Sequence, residues 1–337
     1  MNNNIALIYG GEGHEREISK LSAKNLFSMI DKQRYKVFPI FISEEGYWEF
    51  REDFSEERAA PTYPARIFGK SGFILNGKIL EVKAAIPALH GDFGEDGKIQ
   101  GALATAHIPY LGCDTLCGAV ASDKIYTKII AEHLSVPCAK WIFADDGTKP
   151  AQAREKAEKS FGYPMFIKPT SLGSSIGAHK VSSEEEFEDA FRDAYQKGDG
   201  RILIEEYVDS VCEIECAFLG AEKKHIAPYG RICTGGAVYD YSGKYMGVDS
   251  PKILHGKDVN RDYSDKIREY SEKLISFLKI RHLSRIDFFL TKDGRIYFNE
   301  INTFPGMTAS SLYPQMTEDM GYPRGEFINT LIEEASL

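Results

Sequence analysis

The sequence predicts an α/β protein that opens on a parallel sheet, and three observations carry that expectation. An apolar run, Asn4-Ile5-Ala6-Leu7-Ile8-Tyr9, leads through Gly10-Gly11-Glu12-Gly13 into a helical stretch from Glu15 to about Ile30. A second strand-like run, Val37–Ile42, follows, and a strand–helix–strand unit of this kind pairs its strands in parallel. The 337 residues are 43% hydrophobic and 27% charged, which excludes a disordered chain and, at about 150 residues per domain, gives two domains or three small ones.

The elements then follow in order. Ile18, Leu21 and Leu26 fall near one face of the first helix, with acidic residues in its first turn, where the helix dipole favours them. Ala84–Leu89 is a further strand-like run that closes on a glycine-rich loop at His90. Ser122 reads as the N-cap of a helix through about Leu134, stopped before Pro137. A strand at Met165–Lys168, a Gly/Ser loop at Thr170–Gly177, a helix opened by the capping box Ser183-x-x-Glu186 and a strand at Ile202–Glu205 come next. Thr234–Asp262 is polar, rich in Gly and Tyr, and without periodicity; a stretch of that length is expected to be a mobile lid. A helix from about Asp265 to Leu278 and a hairpin over 285–301 complete the core.

Composition excludes several classes. A net charge of −9 gives no general attraction to nucleic acid or anionic lipid. No run of 18 apolar residues predicts a membrane-spanning helix, and the N-terminus lacks the basic region of a signal peptide, so a cytoplasmic protein is expected. Cys113, Cys117, Cys138, Cys212, Cys216 and Cys233 lack zinc-ribbon spacing and are expected to be reduced structural thiols. Gly11-x-Gly13-x-x-Arg16 imitates a dinucleotide fingerprint, but Arg16 stands at the third glycine. Gly91–Lys98 is one residue too long for a P-loop, with Ile99 in place of Ser or Thr, and neither HExxH nor GxSxG occurs.

The chemistry concentrates in three segments. In 285–302, Asp293-Gly294 predicts a two-residue hairpin turn. That turn pairs Asp287 with Glu300 and Arg285 with Asn302 on one face, and puts Ile286, Ile301, Leu290 and Tyr297 on the other. Two carboxylates directly opposed repel, so a cation is expected between them. A donor set made of oxygen alone selects Mg²⁺ or Mn²⁺, and Mg²⁺ commonly completes its shell with phosphate oxygens, which implies a nucleotide. In the second segment Lys168 ends a strand and small residues follow to Gly177, a loop whose N–H groups suit phosphate; Lys124 and Lys128, one helical turn apart, are further phosphate candidates. The third, His90–Gly101, is a tight loop at a strand's C-terminal edge, where α/β proteins bind ligands.

Taken together, HGxxGEDGxxQG at 90–101, KPxxLGSSxG at 168–177 and RxD at 285–287 followed by ExNxxPGMT at 300–308 resemble the D-alanine–D-alanine ligase family of the ATP-grasp superfamily, from about Ile5 to Ile328. The resemblance implies an ATP-grasp fold behind a Rossmann-like, parallel-sheet N-terminal domain. It implies a division into 1–121, 122–209 and 210–337, the last carrying the metal and catalytic residues. It also implies ATP-driven joining of two D-alanines through a D-alanyl phosphate, for peptidoglycan precursors, in a cytoplasmic homodimer without nucleic-acid or membrane partners. Glu15 matches the carboxylate for the first D-alanine's ammonium group, with Ser174 and Tyr245 in its network and His90 nearby. Lys124, Lys168 and Lys244 match the phosphate lysines, and Ser174, Ser175 and Asn299 further nucleotide contacts. Glu205, Glu206, Tyr207, Val208 and Glu213 match the adenine and ribose contacts. Asp287, Glu300 and Asn302 match the ligands of two Mg²⁺ or Mn²⁺ ions, Arg285 and the Gly306 N–H the oxyanion donors, and Ser311 and Leu312 the second substrate's carboxylate site. The chain departs from the family pattern at His282, at one extra residue between Glu205 and Glu213, and at Met246–Pro251. D-Ala–D-Ser or D-Ala–D-lactate synthesis is the alternative within the family; Tyr245, where lactate ligation is associated with His or Phe, favours D-alanine as second substrate.

Overall fold

The strand Asn4–Gly10 is apolar at nearly every position, and from Ile5 onward it is buried on both faces. It pairs in parallel with Lys36–Ile42 on one side and Ala84–Pro87 on the other, with the helix Arg16–Met29 as the crossover. The computed structural model describes residues 2–56, 59–220, 225–226, 230–233, 252–254, 261–323 and 325–335. Lys244, Tyr245 and most of the expected lid lie outside the described residues. Within 234–262 a short strand, Lys252–Leu254, is present, and the following helix, Arg261–Leu278, starts four residues ahead of the expected Asp265. Among the described residues no helix is long and apolar enough to cross a membrane.

Antiparallel strands Trp48–Arg51 and Ala59–Pro61 extend the first sheet, and Pro64–Ile67, Lys70–Leu75 and Lys78–Glu81 form a separate meander. The middle of the chain builds an antiparallel sheet in the order His179–Val181, Met165–Pro169, Ile202–Glu206, Trp141–Ala144. The C-terminal sheet is also antiparallel; the long strand Ser210–Gly220 pairs with His282–Thr291, which pairs with Ile296–Asn302.

Hydrophobic faces, more than chain order, decide the packing. The C-terminal helices Leu312–Asp319 and Glu326–Ala335 share one core with the first sheet, where Tyr313, Phe327 and Leu331 meet Ile5, Leu7 and Ile86. The helix Thr115–Ser122 runs across the expected 121/122 division, and Lys124–His133 follows it directly. Both send apolar residues (Cys117, Ala121, Ala131) into the core of the C-terminal sheet beside Ile286 and Phe298. The expected Ser122 cap is displaced because that residue ends a preceding helix; Asp123 caps the next one, accepting from the N–H groups of Ile125 (2.8 Å) and Tyr126 (3.3 Å). Ser183 does stand at an N-cap, but its hydroxyl makes no cap bond, and Glu186 takes the N–H of Ser182 at 2.7 Å. Cys113, Cys117, Cys138, Cys212 and Cys216 are free thiols.

Candidate active site

The hairpin of the C-terminal sheet sets the register of the site. Its loop is three residues, Lys292-Asp293-Gly294, closed by Thr291 N–H to Arg295 O at 2.9 Å and Gly294 N–H to Thr291 O at 3.0 Å. Gly294 takes φ 82°, a left-handed conformation that glycine adopts without strain. A loop one residue longer than expected would move every side chain of the second strand to the wrong face. A bulge at Asn299 cancels the shift: Phe288 pairs with Phe298, yet Asp287 still faces Glu300, Ile286 faces Ile301 and Arg285 faces Asn302. Between loop and bulge the faces are exchanged, and Tyr297 is reassigned with its neighbours. It pairs with Phe289 on the face of Asp287, not with Leu290 on the apolar face, where Ile296 and Phe298 sit instead.

The strand Ser210–Gly220 adds Glu215 beside Asp287, so one row across three strands reads Glu215, Asp287, Glu300. Among the described residues, Arg285 and Lys124 address these acids. Arg285 grips Asp287 with both its Nε–H and Nη2–H at 2.8 Å and lies 3.4 Å from Glu215, while Lys124 Nζ is 3.4 Å from Glu300. Asn302 Nδ2 donates to Asp287 at 3.0 Å. Burial opposes the charge of Arg285, but Asp287 and Glu215 outweigh it and push its proton affinity well above the ordinary value. Sequence reasoning missed Glu215; the available signal was Glu213-x-Glu215, two acids on one face of an otherwise apolar strand. Among the described residues no three His, Cys, Asp or Glu side chains gather as a metal-binding group. The predicted set is two carboxylates and an amide, a hard oxygen set that leaves room for phosphate oxygens.

On the second side, Lys168 at the end of its strand meets Glu205 Oε1 at 2.6 Å and donates to the bulge residue Asn299 at 3.2 Å. Lys128 does not face a phosphate position. Its ammonium is buried against Glu205 Oε2 at 2.8 Å, because the helix that turns Lys124 toward Glu300 turns Lys128 toward the central sheet. Burial alone would raise the Glu205 carboxyl, but the two ammonium groups reverse that and hold it down at about 2.

The third side presents the first helix and the glycine loops. Ser174, itself at φ 52°, donates its hydroxyl to Glu15, the residue preceding the first helix. Gly91 packs so closely on the Glu15 carboxylate that a Cβ there would collide with it. His90 shares hydrogen bonds with Ser22 Oγ (2.8 Å) and Phe304 O (3.2 Å), and burial pushes its imidazole below the usual value against the pull of Glu15. Glu95, beside it in the same loop, accepts the N–H groups of Gly91 (3.1 Å) and Phe304 (2.9 Å). Those dipoles do not offset its burial, and its carboxyl rises to about 7.

These sides enclose a cavity of about 120 Å³. Of the sequence-predicted residues, Glu15, His90, Lys124, Ser174, Arg285, Glu300, Asn302, Gly306, Ser311 and Leu312 line it, joined by Glu95 and Glu215. Ser311 Oγ accepts the Thr308 N–H at 3.0 Å in the turn that carries Gly306. Glu206, Tyr207 and Val208 line a second cavity of about 540 Å³, which Tyr297 and the hairpin loop close from the other side. Lys168, Ser175, Glu205, Glu213, Asp287 and Asn299 line neither; Glu213 is half-buried on its strand opposite Phe289.

A lysine- and carboxylate-lined cleft between an antiparallel central sheet and an antiparallel C-terminal sheet, beside an N-terminal sheet with a parallel centre, defines an ATP-grasp enzyme. Family models for the D-ala D-ala ligase N-terminus and C-terminus match residues 4–113 and 130–333. The chain belongs to the D-alanine–D-alanine ligase family. It is 35% identical to the D-alanine--D-alanine ligase of Lactobacillus acidophilus, over 98% of this chain and 94% of that protein. Its structure is similar to the D-alanyl-alanine synthetase A of Vibrio cholerae (TM-score 0.86, 30% identity, 99% and 98% of the two chains). It is also similar to the VanG D-Ala:D-Ser ligase of Enterococcus faecalis (TM-score 0.89, 30% identity, 99% and 100%).

Proposed function

We propose that the protein joins two D-alanines into D-alanyl-D-alanine at the expense of ATP, supplying peptidoglycan precursor synthesis in the cytoplasm, and that it works as a homodimer. The observation that carries this reading is the cavity that brings Glu15, Arg285 and Lys124, from three separate parts of the chain, around one space. Glu15, steadied by Ser174, takes the ammonium group of the first D-alanine, while Lys124 and Lys168, with Lys244, neutralise phosphate. Glu206, Tyr207, Val208 and Glu213 address adenine and ribose, Ser175 and Asn299 add polar contacts, and the Glu205 side chain, taken up by Lys128 and Lys168, stands behind them without reaching the nucleotide. Asp287, Glu300 and Asn302 are the groups to hold Mg²⁺ or Mn²⁺, two ions in all, which would screen the charge of the transferred phosphoryl oxygens.

The reaction then needs positioning more than a protein nucleophile. A carboxylate oxygen of the first D-alanine attacks the γ-phosphorus, and ADP leaves with the bonding pair. The amine of the second D-alanine, its carboxylate held at Ser311 and Leu312, attacks the acyl carbon; phosphate leaves with the C–O electron pair and the amine gives up a proton. Arg285 and the Gly306 N–H donate to the oxygen that becomes negative in between. Tyr245 selects an amine as second nucleophile.

The test is phosphate release from ATP with D-alanine, alone and with D-serine or D-lactate added, together with product identification and chelation of divalent ions. D-Ala–D-Ala as the dominant product, lost on chelation and restored by Mg²⁺, is expected. A dominant D-Ala–D-Ser or D-Ala–D-lactate product would move the protein to the alternative within the family.

A further inference from the structure

We propose that Lys128 is a positioning residue that acts through Glu205: by neutralising that carboxylate, it leaves the charge of Lys168 available to nucleotide phosphate. The inference rests on the nucleotide site proposed above.

Lys128 is sealed from any ligand, its side chain 1% exposed where that of Lys168 is 10%. A methionine would fill the same space without the desolvation that a buried ammonium suffers, so its presence calls for a reason in charge. Glu205 supplies that reason. Each of its oxygens takes one ammonium, Lys128 on Oε2 at 2.8 Å and Lys168 on Oε1 at 2.6 Å. Two ammonium groups and one carboxylate leave a net charge of one positive unit. Lys168 is the member that reaches toward the hairpin, where it donates to Asn299 at 3.2 Å, next to Glu300. Without Lys128 the cluster is neutral, and the field of Lys168 is cancelled by a carboxylate in contact with it, in a buried setting where such cancellation is strong. The helix Lys124–His133 thus serves the phosphate region twice, through Lys124 in the cavity wall and through Lys128 one turn behind it.

The experiment compares ADP affinity by calorimetry for wild type, Lys128→Met and Lys128→Met/Glu205→Gln, with thermal unfolding as the fold control. The amide introduced by Glu205→Gln keeps a carbonyl acceptor but carries no charge. Lys128→Met is expected to bind ADP about tenfold more weakly, the scale of one charge-assisted contact. The double variant, whose cluster again carries one positive unit, is expected to recover to within about threefold of wild type. Wild-type affinity in Lys128→Met, or equal weakening in both variants, would overturn the assignment. If Lys128→Met does not fold, the double variant decides: ADP affinity within about threefold of wild type supports the counter-charge role, and a loss of about tenfold or more overturns it. If neither folds, Lys128 is a packing element and the assignment falls. Failure of wild type itself to bind ADP would sink the nucleotide site, a result distinct from any of these.

Discussion

Glu205 and Glu95 are both buried carboxyls of the same site, one on its nucleotide side and one on its amino-acid side, and their surroundings drive them apart. Burial raises the proton affinity of each. Glu205 has a full ammonium charge on each oxygen, at 2.6 and 2.8 Å, and ends at about 2. Glu95 has two backbone N–H dipoles and the like charge of Glu15 nearby, and ends at about 7. Formal charges in contact overcome desolvation; peptide dipoles beside a second acid do not. One half of the site therefore holds fixed charge for phosphate, and the other holds a carboxyl that changes charge near neutrality.

The sharpest break of this contrast is Arg285→Ala. Arg285 holds Asp287 on one side and draws the Glu95 carboxyl down on the other. Removing an oxyanion donor of this kind is expected to lower the rate of phosphate release by about 10²–10³-fold, with the unfolding midpoint as fold control. A loss under tenfold would remove Arg285 from that role.

Glu95→Gln tests the amino-acid side through stability. Its folded value of about 7 lies above the ordinary 4.5, so the protonated carboxyl's contribution is complete below pH 4.5 and is lost as pH rises through about 7. The unfolding free energy of wild type relative to Glu95→Gln should fall by about 3 kcal/mol across that interval in urea titrations. Glu205 titrates with the opposite sign and below this window, its contribution disappearing as pH falls from 4.5 through about 2. No change between pH 4.5 and 7 would place Glu95 in a more polar setting than the geometry gives it.

His282 supplies a contribution of similar size and opposite slope. Burial lowers it to about 4, and its Nδ1 meets the backbone of Gly112. Its stabilisation is present above pH 6.5 and is lost as pH falls toward 4, by about 3 kcal/mol relative to His282→Gln. A difference that does not vary with pH would contradict the neutral, buried ring. The smallest effect is expected for Ser174→Ala, which removes one hydrogen bond to Glu15. The KM for the first D-alanine should rise about threefold to tenfold, with ADP affinity unchanged; a change confined to ADP would shift Ser174 to the nucleotide side.

The hairpin shows how far pattern reading reached. Alternation placed Arg285, Asp287, Glu300 and Asn302 on one face, and they are on one face. The route differed, since the expected two-residue turn is a three-residue loop and the bulge at Asn299 absorbs the difference; Ile296, Tyr297 and Phe298, between the loop and the bulge, changed sides. Lys128 and Glu215 were misjudged or missed for a related reason. Helical spacing says that Lys124 and Lys128 share a face, but not that one meets Glu300 in the cavity wall and the other a fully buried acid.

By itself the sequence determined the parallel start of the fold, the presence of the glycine loops and the shared face of Arg285, Asp287, Glu300 and Asn302, because these depend on neighbours a few residues apart, on periodicity and on turn chemistry. The tertiary structure decided which acids are charged and which cations they meet. Glu205 and Glu95 look alike in a sequence, and what separates them is the arrival of Lys128 and Lys168 from other elements at the one and of Phe304 N–H, more than two hundred residues away, at the other. Electrostatics at a site is set by distance and burial, and both are properties of packing between segments that a local pattern does not contain.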